Sequence, residues 1–160
     1  MIRRGRSPLS LVMASAAHSA GRVERRGLTP AQMYCLAAGA TLLLAGILGF
    51  IADSSFDTGN AIQGDELVLF EVNGWHNLAH ILSGLVLLAA YRRWDTARNV
   101  AIGFGVVYGV VTIIGLIDGE DVLGLLPVNG ADHVLHILLS ALGLITGFMS
   151  PATNRTARAA

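Results

Sequence analysis

The sequence predicts an all-α fold: a four-transmembrane-helix bundle built from two helical hairpins inserted with the same polarity. Three observations predict it. Four long apolar runs punctuate the 160 residues, the charge of successive connections alternates in sign, and an eleven-residue stretch is written twice. The two copies are residues 72–82 and 128–138; Val72, Asn73, Gly74, His80, Ile81 and Leu82 match Val128, Asn129, Gly130, His136, Ile137 and Leu138. Each copy opens an apolar run and sets a histidine seven residues after its asparagine.

Composition fits a bilayer better than water. Hydrophobic residues make up 53% and charged residues 14%, against about 25% charged in a soluble domain; the mean hydropathy is +0.59. The apolar runs are about Tyr34–Ala52, Leu78–Tyr91, Val100–Ile117 and Val134–Met149. Eighteen helical residues cover about 27 Å, close to a hydrocarbon core. Runs two and four reach that length once their polar first turns from Trp75 and Asp132 are included. In lipid the backbone must satisfy its own hydrogen bonds, so helices are the expected form.

The elements follow in order. Residues 1–31 form an Arg-rich arm, expected to be flexible and cytoplasmic; its apolar stretch Pro8–Ala17 is too short and broken for a signal peptide. Residues 32–149 form the membrane domain, with repeats at about 34–91 and 100–149, and residues 150–160 form a cytoplasmic tail. Each repeat is a helix, an acidic loop and a second helix. The loops, about 53–73 and 118–131, carry the apolar stretches Leu67–Phe70 and Leu123–Leu126 and are expected to fold back as partial caps. Two spans per repeat give both repeats the same polarity, with an axis along the membrane normal rather than an inversion. Gly105 and Gly109, with Gly143 and Gly147, are spaced for close helix packing and leave self-association open.

Charge sets the orientation. All 11 basic residues are arginines, and they fall in the N-terminal arm, around Arg92–Arg98, and in the C-terminal tail. Only Glu24 and Asp95 accompany them; the other nine acids occupy the two remaining connections. The positive-inside rule then puts both termini in the cytoplasm of a multi-pass inner (plasma) membrane protein. Juxtamembrane arginines fix orientation and touch anionic lipid. With no aromatic-interleaved basic patch, nucleic acid is not an expected partner; the lipid bilayer is, with further copies of the chain or other membrane proteins open. Cys35, the lone cysteine, reads as a buried thiol.

The polar residues of the duplicated stretch form the candidate site. Asn73 and Asn129 read as helix N-caps. Asp132 falls at the third helical position, where a carboxylate suits the positive helix end, and His76 takes that place in the first repeat. Helical spacing puts Asn77, His80 and Gly84 on one stripe, and His133, His136, Ser140 and Gly143 on another. Polar stripes avoid lipid and face protein, so the two are expected to face each other near the outer surface.

Three roles fit that cluster. Hydrogen bonds between helices make it structural, giving a non-enzymatic structural or accessory membrane component with no cofactor. Alternatively His80 and His136 ligate a divalent metal or a haem in a redox protein, with Gly84 leaving room for a flat ring. A third reading is an ion or proton pathway along Asn77, His80, His133 and His136. No Gly-x-Ser-x-Gly elbow, phosphate loop, Cys-x-x-Cys-His or His-Glu-x-x-His is present, so an enzyme is not expected.

The segments Gly74–His80 and Leu126–His136 resemble the bacterial membrane-protein family known as domain of unknown function 4383, over about residues 32–149. The resemblance implies a four-helix inner-membrane protein and carries no substrate, cofactor or catalytic residue. It implies an asparagine at the position of His133, matching Asn77 in the first repeat. That makes His133 a weaker ligand candidate than His80 and His136.

Overall fold

The computed structural model describes residues 27–119 and 121–152; the arginine-rich arm through residue 26 and the tail from residue 153 lie outside the described residues. The chain runs α1 (Pro30–Ala52), β1 (Asp65–Leu67), β2 (Phe70–Val72), α2 (Gly74–Ala90), α3 (Trp94–Asp118), β3 (Asp121–Val122), β4 (Leu126–Pro127) and α4 (Gly130–Met149). The fold is all-α, with two small hairpins where the sequence led us to expect capping loops.

Local chemistry explains the boundaries. Thr29 caps α1: its hydroxyl accepts from the Gln32 amide, and the Gln32 side chain accepts from the Thr29 amide. Pro30 fills the first helical position, where no amide hydrogen is needed. The helix therefore starts four residues before the apolar run that announced it at Tyr34, inside the stretch assigned to the arm. α3 likewise begins at Trp94 and draws Asp95 and Arg98 into its first turns. Asn73 and Asn129 cap α2 and α4 as expected, Asn73 Oδ1 accepting from the His76 amide at 2.9 Å and Asn129 Oδ1 from the Ala131 and Asp132 amides at 2.9 and 3.1 Å.

The hairpins are antiparallel and short. Asp65 pairs with Val72 and Leu67 with Phe70; Asp121 pairs with Pro127 and Val122 with Leu126. Both lie at one end of the bundle, β2 beside β4, and the loop leading into the first meets the second: the Gly59 amide donates to the Gly124 carbonyl at 3.0 Å, and the Ala61 amide to Asp121 Oδ2 at 2.8 Å. The opposite end gathers the start of α1, the α2–α3 turn and the end of α4. There Gln32 Nε2 donates to the Tyr91 carbonyl at 2.8 Å, the Ala31 amide to Ser150 Oγ at 2.9 Å, and Arg98 Nε to the Ser150 carbonyl at 3.3 Å. Arg92, Arg93 and Arg98 therefore sit at the end opposite the acidic hairpins.

The main helix pairs are α1 with α2 and α3 with α4, while α1 also touches α3 and α4. Small residues set the approach. A methyl group added at Gly84 would stand 2.6 Å from the Leu43 amide nitrogen and 2.8 Å from the Gly39 carbonyl. One at Gly105 would stand 2.8 Å from the Ser140 carbonyl, and one at Gly143 2.9 Å from the Ala101 carbonyl. The glycine stripes that left self-association open are thus spent inside the chain. Between the pairs, Tyr34 donates to the Leu139 carbonyl at 2.8 Å and meets Phe104 edge-on, and the Cys35 thiol is buried beside the Ala97 carbonyl.

Many large aliphatic side chains, among them Leu44, Ile47, Val86, Val107, Leu138 and Ile145, face outward, while glycine, alanine, histidine, asparagine and aspartate share the interior with Tyr34, Leu42, Leu87 and Tyr108. Water would not support so much exposed aliphatic surface, whereas lipid removes its penalty and leaves close packing to hold helices together. Among the described residues α1, α3 and α4 are long and apolar enough to cross a membrane; α2, at 17 residues, is shorter. These features mark a membrane protein.

Candidate functional site

The site lies beneath the two hairpins, where α2 and α4 begin. Each second helix is tied to the other half. Asn73 Nδ2 donates to the Leu125 carbonyl and Asn129 Nδ2 to the Leu69 carbonyl, both at 2.9 Å. Leu125 stands four residues before Asn129, and Leu69 four before Asn73, so the exchange is reciprocal. The next bonds repeat the crossing. At the third helical position of α4, Asp132 Oδ2 accepts from the Glu71 amide of β2 and from the Asn129 amide, each at 3.0 Å. At the third helical position of α2, His76 Nδ1 lies 3.1 Å from the Pro127 carbonyl of β4. A carbonyl only accepts, so His76 Nδ1 carries the proton and Nε2 keeps its lone pair.

The polar stripes face each other only in part: His80 and His136 meet between α2 and α4, while their neighbours turn away. Asn77 turns to α1: its Nδ2 donates to the Asp53 carbonyl at 2.8 Å, and its amide group fills the space beside Gly49. His133 turns to α3, where a methyl at Gly115 would come within 2.9 Å of its ring. Ser140 Oγ also goes to α3, donating to the Gly105 carbonyl at 2.6 Å. Periodicity identifies the buried faces correctly, but Asn77, Gly84, His133, Ser140 and Gly143 pack on the first helix of their own half, and the histidines at the centre meet across the halves. Gly84 leaves no slot for a flat ring, because α1 fills it. Of the four residues of the proposed ion pathway, Asn77 and His133 pack against different helices.

What remains at the centre is His76, His80 and His136. They are 2%, 5% and 3% exposed. The His76 and His80 ring centroids lie 4.4 Å apart, those of His76 and His136 5.9 Å, and Tyr108 meets His136 edge-on at 5.3 Å. One nitrogen from each of the three histidines lies within 4.8 Å of the other two. His80 Nδ1 and Nε2 and His136 Nδ1 are buried with no hydrogen-bond partner among the described residues. Buried polar atoms are rarely left so.

The cluster read from the sequence thus divides. Asn73, Asn129, Asp132 and His76 make the interelement hydrogen bonds of the structural reading. Asn77 bonds the Asp53 carbonyl, whereas His80 and His136, the residues singled out as ligands, make none among the described residues, and His133 Nδ1 is likewise unpaired there. Sequence reasoning placed His76 in the polar cluster but gave only His80 and His136 as ligands; the spacing of four between His76 and His80 on one helix is the signal that joins His76 to them.

No curated protein and no solved structure matches the chain. A family model does, over residues 32–149, in agreement with the resemblance drawn from the paired helix starts. The chain belongs to the family described as domain of unknown function (DUF4383).

Proposed function

We propose that the chain is a four-pass protein of the bacterial inner membrane, both termini cytoplasmic, acting as a non-enzymatic structural or accessory component. Its outer end is a cap in which two duplicated helical hairpins lock each other. The observation that carries this reading is the reciprocal exchange in which Asn73 reaches Leu125 and Asn129 reaches Leu69. Such bonds join halves that lipid alone would not hold, since apolar helix faces gain nothing by leaving lipid for one another. The sign of the charge supports the orientation: Arg92, Arg93 and Arg98 at one end, Asp53, Asp57, Asp65, Glu66, Asp118 and Asp121 at the other. α2 covers about 25 Å. Its capped, polar first turn sits at the interface, and mismatch of this size is accommodated by local thinning.

Single cysteines placed by Asp57→Cys and by Arg92→Cys, in a Cys35→Ala background, test the topology in intact cells. A membrane-impermeant maleimide is expected to label the first and to label the second only after the membrane is opened. Labelling of Arg92→Cys from outside would overturn the orientation.

A further inference from the structure

We propose that His76, His80 and His136 bind one divalent transition-metal ion of the zinc class, in a three-histidine site with a fourth position open. The geometry carries the assignment. Three imidazoles from two helices converge in the buried interior, with one nitrogen from each within 4.8 Å of the others. A tetrahedral ion with bonds of about 2.0–2.1 Å needs ligand nitrogens roughly 3.3 Å apart. Binding therefore requires the three rings to rotate about their side-chain bonds until that difference is closed.

Three further observations point to a ligand rather than to packing. First, His80 is buried and neither of its nitrogens has a partner among the described residues. A histidine kept only for hydrogen bonding would make a hydrogen bond. Second, His76 is oriented from behind. The Pro127 carbonyl holds its Nδ1 at 3.1 Å, which leaves Nε2 as the nitrogen with a lone pair to offer. Carbonyl support of this kind commonly fixes the tautomer of a metal-ligating histidine. Third, the halves differ at one decisive place. His76 and Asp132 occupy the same position in their helices, yet Asp132 Oδ2 accepts from the Glu71 and Asn129 amides and Asp132 is not among the three converging residues. Two ligands therefore come from α2 and one from α4.

The donor set selects the metal class. Imidazole suits zinc, copper, cobalt and nickel; magnesium and calcium need oxygen ligands, which the trio lacks. A bound ion would tie α2 to α4, which share no extensive backbone packing. Three protein ligands leave one position of a tetrahedral ion for water or an exogenous donor.

The test uses the purified full chain in detergent, stripped of metal, with cobalt(II) as a spectroscopic probe and zinc as competitor. The wild type is expected to take up one cobalt per chain, with the visible bands of a low-coordinate nitrogen site, and to release it to one equivalent of zinc. His80→Ala removes a side chain that makes no hydrogen bond among the described residues, and His136→Gln keeps most of the volume. Each is expected to weaken cobalt binding about 100-fold or more while eluting as the folded wild type does. His133→Ala, outside the trio, is expected to bind within about threefold of wild type. Folded wild type that binds no stoichiometric cobalt or zinc would overturn the proposal. So would folded His80→Ala or His136→Gln with wild-type affinity, or a loss in His133→Ala equal to theirs.

Discussion

Asn73 and Asn129 each cap one helix with the side-chain oxygen and reach across to the other half with the side-chain nitrogen, to Leu125 and Leu69 respectively, at the same distance of 2.9 Å. One side chain thus ends a helix's shortage of partners and joins two halves. The two asparagines differ in surroundings: Asn73 is fully buried, whereas the bond from Asn129 is exposed.

Burial predicts unequal losses. Asn73→Ala removes a cap worth about 1 kcal/mol and leaves the Leu125 carbonyl without its donor, for a total of about 2–3 kcal/mol. Asn129→Ala is expected to cost about 1 kcal/mol, because water replaces its exposed bond. Thermal unfolding in detergent checks the order; equal losses would contradict it.

Helix packing gives a contrast between two glycines. Gly84→Ala drives a methyl into the backbone of α1 at Leu43 and Gly39, and overpacking of this kind costs about 1–3 kcal/mol. Gly103→Ala on α3 meets nothing within 4 Å and is expected to be neutral or to gain up to about 1 kcal/mol from helix propensity. Unfolding curves of the two variants, compared side by side, decide this.

The hairpin turns hold a strained residue. Val68 has φ of 65°, and Gly124, in the matching place of the second hairpin, has φ of 67°. A β-branched residue in this region is a steric outlier, with a cost of about 1–3 kcal/mol. Val68→Gly is expected to raise stability by about 0.5–2 kcal/mol, since relief of strain exceeds the added flexibility of the unfolded chain. A lowered melting temperature would show that Val68 is held by contacts stronger than its strain.

Asp53, at the C-terminal end of α1, predicts an acid limb. Burial pushes its carboxyl up, but the Ser55 amide and hydroxyl and the Asp65 amide outweigh this and hold it below the usual carboxylate range. The sign follows: a pKa lowered in the folded state stabilises above the unfolded value of about 4 and loses that contribution as pH falls through the folded value. Melting temperature should therefore drop below about pH 4, and Asp53→Asn should flatten that drop. An identical pH profile in the variant would remove Asp53 from the account.

Much of this was legible in the sequence. Apolar runs and charge alternation located the four helices, and Asn-Gly before each second run located the caps at Asn73 and Asn129. Helical spacing identified Asn77, His80, Gly84, His136, Ser140 and Gly143 as interior. Spacing says which face of a helix is polar, however, not which neighbour that face meets. For that reason the turn of Asn77 toward α1 and of His133 toward α3 was hidden, and with it the exclusion of a flat ring at Gly84. The hairpins were hidden for a different reason. Their strands are two or three residues long, too short for alternation to register. The left-handed residues Val68 and Leu123 are also not the types that announce tight turns. The Thr29-Pro30-Ala31-Gln32 start of α1 is legible as a capping box, whereas the apolar run behind it marks the start only at Tyr34.

The central claim is that both hairpins close over the same end of the bundle and interlock across the two halves. Cross-linking tests it most directly. With Thr58→Cys and Leu125→Cys flanking the Gly59–Gly124 contact, in a Cys35→Ala background, a short bis-maleimide is applied and the chain is then cut at Arg92–Arg93. The two halves are expected to remain joined as one species on a denaturing gel, and to separate when either cysteine is omitted. Halves that separate with both cysteines present and reacted would contradict the account.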